Sequence, residues 1–435
     1  MKLTNFQLAL IAIFIVFIII AVMIFSGAIK VGDKKTSDLY QGKVVVWGTL
    51  PSETVRDTFP GIESGYDNLT ISYVERNPST FEADLAEALA SGVGPDLFFV
   101  SNDTLLSEAN KLYVTPYESF PLRAYKSIYV DGADLFLNSK GVMAYPVTID
   151  PLVLYWNKDL FNVAGLVSAP TAWEEMYKYA GLLSKRTATG VLTQSAISFG
   201  GYQNVTHAKD IIATLLIQSG DSIVRKNADD TYSSILGGYL PGTKIRPAES
   251  VLRFYTEFAN PAGEYYSWSS SFAPSYNAFI AGDLAMYIGY SSEIYGIRER
   301  NPNLNFDVTR IPQLEGATTP LTFGKIYGVA VSKSSKNLAS SLYVAQSLSG
   351  KDSVALISKD VSTLPIRRDL LSAPAEDPYL SSFYQSALLA RSWYDPDANA
   401  TNTIFSSMVS DTIAGFMSVG ESVGKASEAI GRLLK

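Results

Sequence analysis

The stretch Gly141-Val-Met-Ala-Tyr-Pro-Val-Thr-Ile-Asp-Pro-Leu-Val-Leu-Tyr-Trp-Asn-Lys-Asp-Leu-Phe161, followed a few residues on by Ala169-Pro-Thr-Ala-Trp-Glu-Glu-Met176, decides the reading of this chain. A residue before proline favours extended backbone, and Tyr145-Pro146 and Asp150-Pro151 place two such positions close together. The chain is therefore expected to cross between two bodies here. Leu152-Val-Leu-Tyr-Trp156 is a short apolar run of buried-strand type, and Asn157-Lys-Asp159 breaks it. Thr171, with Glu174 three residues on, predicts a capping box at a helix start.

Working outward, Lys43-Val-Val-Val-Trp-Gly48 predicts a buried strand, Ile71-Ser-Tyr-Val74 a second, residues 80–90 a helix with Phe81, Leu85 and Leu89 on one stripe, and residues 96–100 a third strand. The unit is β-α-β. Ligands of open α/β sheets bind outside the carboxyl ends of strands, which puts Trp47 either in a ligand site or in the core. Ser101-Asn102-Asp103 follows the third strand, where these groups suit ligand hydroxyls or cap a helix beginning near Thr104. A second lobe is expected from about Asp150, with the helix around Trp173, the turn Ser198-Phe-Gly-Gly-Tyr202 and the unit at residues 278–290.

Composition narrows the function. The 435 residues suffice for two lobes with substantial cores. A net charge of −7 argues against a nucleic-acid surface, which needs clustered Lys and Arg. With no cysteine there are no disulfides, thiol nucleophiles or cysteine metal sites, and the single histidine, His207 at an apparent helix start, gives no basis for a multi-histidine metal centre. No cofactor is expected. Residues 8–25 are apolar without interruption and long enough to span a bilayer; we read residues 1–30 as a membrane anchor in preference to a cleaved signal, and residues 31–41 as a tether.

Aromatic residues fall in polar loops, most clearly Tyr265-Tyr-Ser-Trp-Ser-Ser-Ser271, Gly289-Tyr-Ser-Ser292 and Ser392-Trp-Tyr-Asp395. A sugar ring stacks its apolar face on an aromatic and offers a rim of hydroxyls to donors and acceptors, so such loops suit carbohydrate, though ordinary packing between lobes produces them too. Asp395 and Asp397, or Glu174 and Glu175, also suggest the carboxylate pair of a glycoside hydrolase, but Glu174 and Glu175 suit a helix N-terminus.

The order of Pro146, Asp150, residues 155–161, Ala164-Gly165 and residues 170–175 resembles the family 1 extracellular solute-binding proteins of ABC importers, the maltose-binding-protein-like family. Ala88-Leu-Ala-Ser-Gly-Val-Gly-Pro-Asp-Leu-Phe-Phe-Val100 is similar to the family's helix end and following strand, Ala278-Phe-Ile-Ala-Gly-Asp-Leu-Ala-Met-Tyr-Ile-Gly289 to its Phe, Gly and Ala-Met segment, and residues 324–332 to a returning strand. The resemblance implies an α/β, two-lobe periplasmic-binding-protein-like fold with a hinge, and the apolar run at residues 8–25 is expected to precede it as an N-terminal transmembrane helix. Residues 42–147 with about 326–361 form one lobe, and 148–325 with about 362–435 the other.

The same resemblance implies a membrane-tethered, extracytoplasmic and monomeric receptor, not an enzyme, that binds a sugar or oligosaccharide and hands it to ABC permease subunits. The rival readings are a surface glycoside hydrolase and a sensory or adhesive ectodomain. Together with the reading of the loops, the resemblance nominates Trp47, Asn102, Asp103, Asp150, Tyr202, Trp268, Tyr290, Ser291 and Trp393 as ligand-binding, and no residue as catalytic. Gly289-Tyr290-Ser291 stands where maltose-type members carry Pro-Trp after the glycine.

Overall fold

The structure is a computed structural model that describes residues 39–374 and 377–435. The expected anchor at residues 8–25 and residues 31–38 of the tether lie outside the described residues, among which no helix is long and apolar enough to cross a membrane.

The first lobe is built on strands β1 (Gly42–Gly48), β2 (Leu69–Glu75) and β3 (Leu97–Ser101), with helix α1 (Phe81–Ala90) between β2 and β3. The strands are parallel and β1 lies between the other two. Parallel strands covered on both faces read as near-continuous apolar runs, which is how β1 and β3 read. Val44, Val46, Ile71, Tyr73 and Phe99 pack on one face of this sheet, and Trp47, Phe81, Leu85 and Phe98 on the other. Gly48 ends β1 because no side chain fits: an added Cβ would lie 2.6 Å from Tyr73 Oη and 2.7 Å from Phe99 Cδ2. Because β1 leads to β2 on one side and β3 lies on the other, the carboxyl ends of β1 and β3 flank a crevice of the kind that holds ligands.

The crossing segment and the short strand expected separately are one strand, β4 (Tyr145–Asn157), buried along nearly its whole length. The second lobe's sheet contains β5 (Leu192–Ile197), β6 (Leu284–Tyr290) and β7 (Phe306–Thr309), with helix α2 (Ala208–Gln218) between β5 and β6. Strand β8 (Thr322–Val331) returns to the first lobe, and helix α3 (Ala398–Ile413) follows near the end of the chain.

The first part of β4 pairs with β8, residues 152–156 pair with β6, and residues 154–157 pair with β7 on the other side. Beyond Tyr327, β8 pairs with β3. Two antiparallel strands thus run from one sheet into the other, with Leu364–Pro365 paired on β4 as a third crossing. The β4–β8 register slips between Tyr327 and Gly328, opposite the segment beside Pro146, where a proline cannot donate to the ladder.

One local expectation is corrected. The turn before Trp173 is capped by Glu175, not Glu174: Glu175 Oε2 accepts the N–H groups of Thr171 at 2.7 Å and Ala172 at 3.0 Å. Glu174 instead accepts the N–H of Glu315. The box is shifted by one residue because Ala172 is still extended and the first turn is the tighter 3-10 form at Trp173–Glu175. Asn157, in contrast, ends β4 and caps the next helix as its side-chain type suggests, accepting from Asp159 and Leu160 N–H.

Candidate functional site

Asn102 follows β3 and is fully buried. Its backbone N–H donates to Ile326 O at 3.1 Å, its Oδ1 accepts Ile326 N–H at 3.0 Å, and its Nδ2 donates to Asp103 Oδ1 at 2.8 Å. The side chain therefore locks β3 to the crossing strand β8 and aims Asp103. Neither Asn102 nor Asp103 caps the short helix at Leu105–Glu108; the Thr104 hydroxyl instead accepts the Ser101 N–H. Replacing Asn102 by Ala strands the Ile326 N–H in the interior, so N102A is expected to lose about 1–3 kcal/mol in urea unfolding.

Asp103 sits in a buried cluster of charged groups. Burial pushes its carboxyl up to about 6, against the pull of Lys209 and Lys325 and with the help of Asp210 and Asp395. Three of these four groups come from the second lobe, so Asp103 looks across from one lobe to the other. Lys325 lies on β8: burial works against its charge, but Asp210 and Asp103 hold its pKa above the usual lysine value. Its Nζ sits 5.2 Å from the centre of the Tyr290 ring.

The second lobe contributes the start of α2 and the end of β6. His207 takes left-handed backbone at φ 62° before α2, and its Nε2 lies 2.8 Å from Glu293 Oε1. Asp210, in the first turn of α2 where the helix dipole favours negative charge, accepts the Tyr290 hydroxyl at 2.7 Å. The His207 ring packs edge-on against Tyr290 at 4.6 Å. Lys209 donates to Asp395 Oδ2 at 2.7 Å, and Thr401 on α3 donates to Asp395 Oδ1 at 2.8 Å. Burial opposes the Lys209 charge, yet Asp395 and Asp103 hold its pKa above the usual value.

The nominated residues do not all meet. Asp103, Tyr290 and, through Asp395, the loop carrying Trp393 converge on one region. Asp150 sits on β4 between the lobes and is buried, with Oδ1 accepting the Ser291 hydroxyl at 2.7 Å and the Ser292 N–H at 3.1 Å, and Oδ2 accepting the Ser292 hydroxyl at 2.6 Å. The Tyr202 hydroxyl donates to Asn402 Oδ1 at 2.8 Å.

Trp268 is 1% exposed, stacked on Phe272 with Nε1 donating to Asn204, which places it inside the second lobe. Trp47 is nearly buried, with the Arg76 guanidinium 3.6 Å over its ring. Trp393 is buried, and its Nε1 and the neighbouring Ser392 hydroxyl have no hydrogen-bond partner among the described residues. The carboxylate pair at 395 and 397 divides its work: Asp395 holds Lys209, while Asp397 caps α3 by accepting Asn399 and Ala400 N–H.

Lys209, Asp210 and Lys325 escaped the sequence reading. A lysine inside the otherwise apolar run around residues 322–331 is the one local signal that marked β8 as facing a polar cleft.

Residues 62–380 match the family model described as bacterial extracellular solute-binding protein. The galactooligosaccharide-binding protein of Bacillus subtilis (strain 168) is 23% identical over 336 residues, covering 77% of this chain and 75% of that protein. The sugar-binding protein MalE of Xanthomonas citri shares the fold with a TM-score of 0.74 at 17% identity, over 90% of this chain and 97% of that one. A cyclo/maltodextrin-binding protein complexed with maltotetraose does so at 0.71 and 16% identity, over 90% and 96%.

Proposed function

The chain belongs to the bacterial extracellular solute-binding proteins, and from that premise we propose that it is the receptor of an ABC importer and binds a sugar or oligosaccharide between its lobes. The observation that supports this reading is a buried cluster of charged and aromatic groups where the lobes meet: Asp103 from the first lobe, Lys325 from a crossing strand, and Asp210 and Tyr290 from the second lobe. Charged side chains make strong hydrogen bonds to neutral hydroxyls, and rings such as Tyr290 and Trp393 supply apolar faces. The oligosaccharide specificities of the relatives support the same class of ligand.

In this reading Asp103 and Tyr290 contact the ligand, and Trp47, Tyr202 and Trp393 border it. Asn102, Asp150 and Ser291 hold the site's shape, since their polar groups are engaged within the protein. Lobe boundaries near residues 147 and 326, with a third crossing at Ser362–Pro365, follow the three strands that join the sheets. Rotation about those strands opens and closes the cleft, and the left-handed Ser362 at φ 58° marks one place where backbone rotation is absorbed. The apolar run at residues 8–25 anchors the receptor with its globular part outside the cytoplasm, beside the permease, and no bond of the sugar is broken.

A thermal-shift screen of the full chain, in a detergent without a sugar headgroup, tests this. A neutral oligosaccharide is expected to raise Tm with concentration and to be recovered intact. Stabilisation by amino acids alone, or hydrolysis of the sugar, overturns the reading.

A further inference from the structure

Resting on the sugar-receptor reading, we infer that Arg76, stacked on Trp47, forms an outer subsite on the first lobe that grips two adjacent oxygen atoms of a sugar unit beyond the one at Asp103. Arg76 follows directly on β2, and its N–H donates to Gly48 O at 2.8 Å, which extends the β1–β2 pairing by one residue and fixes where its side chain starts. The guanidinium carbon lies 3.6 Å from the centre of the Trp47 ring. Nε is buried without an acceptor, and no carboxylate or carbonyl pairs with the guanidinium among the described residues. The neighbouring Glu75 is occupied elsewhere, accepting the Ser52 N–H at 2.9 Å.

A guanidinium carbon held 3.6 Å over an indole has lost much of its freedom, and its donors are unspent. Its planar fork fits two oxygens side by side in its own plane, as a carboxylate or a vicinal diol presents them. The position is the carboxyl edge of the sheet: Trp47 is the penultimate residue of β1, and Arg76 and Asp103 follow the ends of β2 and β3, with β1 in the middle. Two strand spacings separate β2 from β3, about 10 Å, so one sugar ring does not reach from Asp103 to Arg76 and a chain of rings does. The subsite therefore favours oligosaccharides over monosaccharides, and adjacent oxygens on the outer unit over a single hydroxyl.

The test is calorimetric titration of the full-length protein and its R76A and R76K variants with galactose, galactotriose, maltotriose and trigalacturonate. We expect R76A to weaken a bound trisaccharide by about 10- to 100-fold, to change galactose affinity by less than about twofold, and to leave Tm within about 2 °C. R76K keeps the charge without the fork and should recover only part of the loss. A loss on galactotriose or maltotriose identifies the diol as the partner, and a loss on trigalacturonate the carboxylate. Trisaccharide affinity unchanged in R76A, or galactose and trisaccharide weakened equally, overturns the subsite while leaving the receptor reading intact. Failure of the unmodified protein to bind any of the four sugars overturns the receptor reading and the subsite with it.

Discussion

D395A is expected to lose about 3–5 kcal/mol of stability, the largest effect of any single substitution near the cleft. Asp395 has no exposed surface and is the direct ionic partner of Lys209, whose side chain is 11% exposed. Removing the carboxylate leaves an ammonium in a site that burial already disfavours, and takes one of the acceptors within reach of the Thr401 hydroxyl as well. Because Lys209 opens α2 and Thr401 sits in α3, the pair fastens the 392–397 loop, with Trp393, to the second lobe. The penalty comes from the orphaned charge more than from the lost attraction, so K209M/D395A should regain a large part of the stability. Urea unfolding of the two single variants and the double variant measures this directly. A D395A loss below about 1 kcal/mol, or additive losses in the double variant, would refute it.

The second large effect runs in opposite directions for stability and binding. Burial raises the Asp103 carboxyl from an ordinary value near 3.8 to about 6, so the folded protein holds a proton there that the unfolded chain has released. Between pH 4 and 6 the folded state binds more protons than the unfolded state, and stability falls as pH rises through that window. At pH 7 the ionised carboxylate therefore costs the fold up to about 3 kcal/mol, from a shift of about two units. D103N is expected to raise Tm at pH 7 by several degrees, to have little effect at pH 4, and to weaken sugar binding by at least about tenfold. In the unmodified protein, affinity should decline as pH falls below 6 and the carboxylate is neutralised. Melting curves at pH 4 and 7, beside titrations from pH 5 to 8, check both halves; a D103N protein that is less stable at pH 7 would sink the assignment.

Much of this molecule is legible in the chain because its strands are buried on both faces. Lys43-Val-Val-Val-Trp-Gly48 and Leu97-Phe-Phe-Val-Ser101 can be little else, and the polar residues that follow the latter sit at the crevice where the strand order puts them. The two prolines of β4 announce extended backbone, but nothing local says that one strand serves two sheets; that follows from its partners, β8 on one side and β6 with β7 on the other.

The site is less legible for the same reason. Trp268 and Tyr290 look alike in sequence, each an aromatic among serines, yet Asn204 and Phe272 enclose the first while Asp210 and Lys325 face the second. Lys209 and Asp103 are more than a hundred residues apart and are brought together only by tertiary folding, as are Arg76 and Trp47.

The most direct test of the central claim is calorimetric titration of the full-length protein with neutral oligosaccharides, paired with chromatography of the recovered sugar. Saturable one-to-one binding that is strongly weakened in D103N, with the oligosaccharide recovered unchanged, is the predicted result. Binding that survives D103N undiminished, no binding across the panel, or the appearance of shortened sugars would contradict a receptor whose cleft is organised around Asp103.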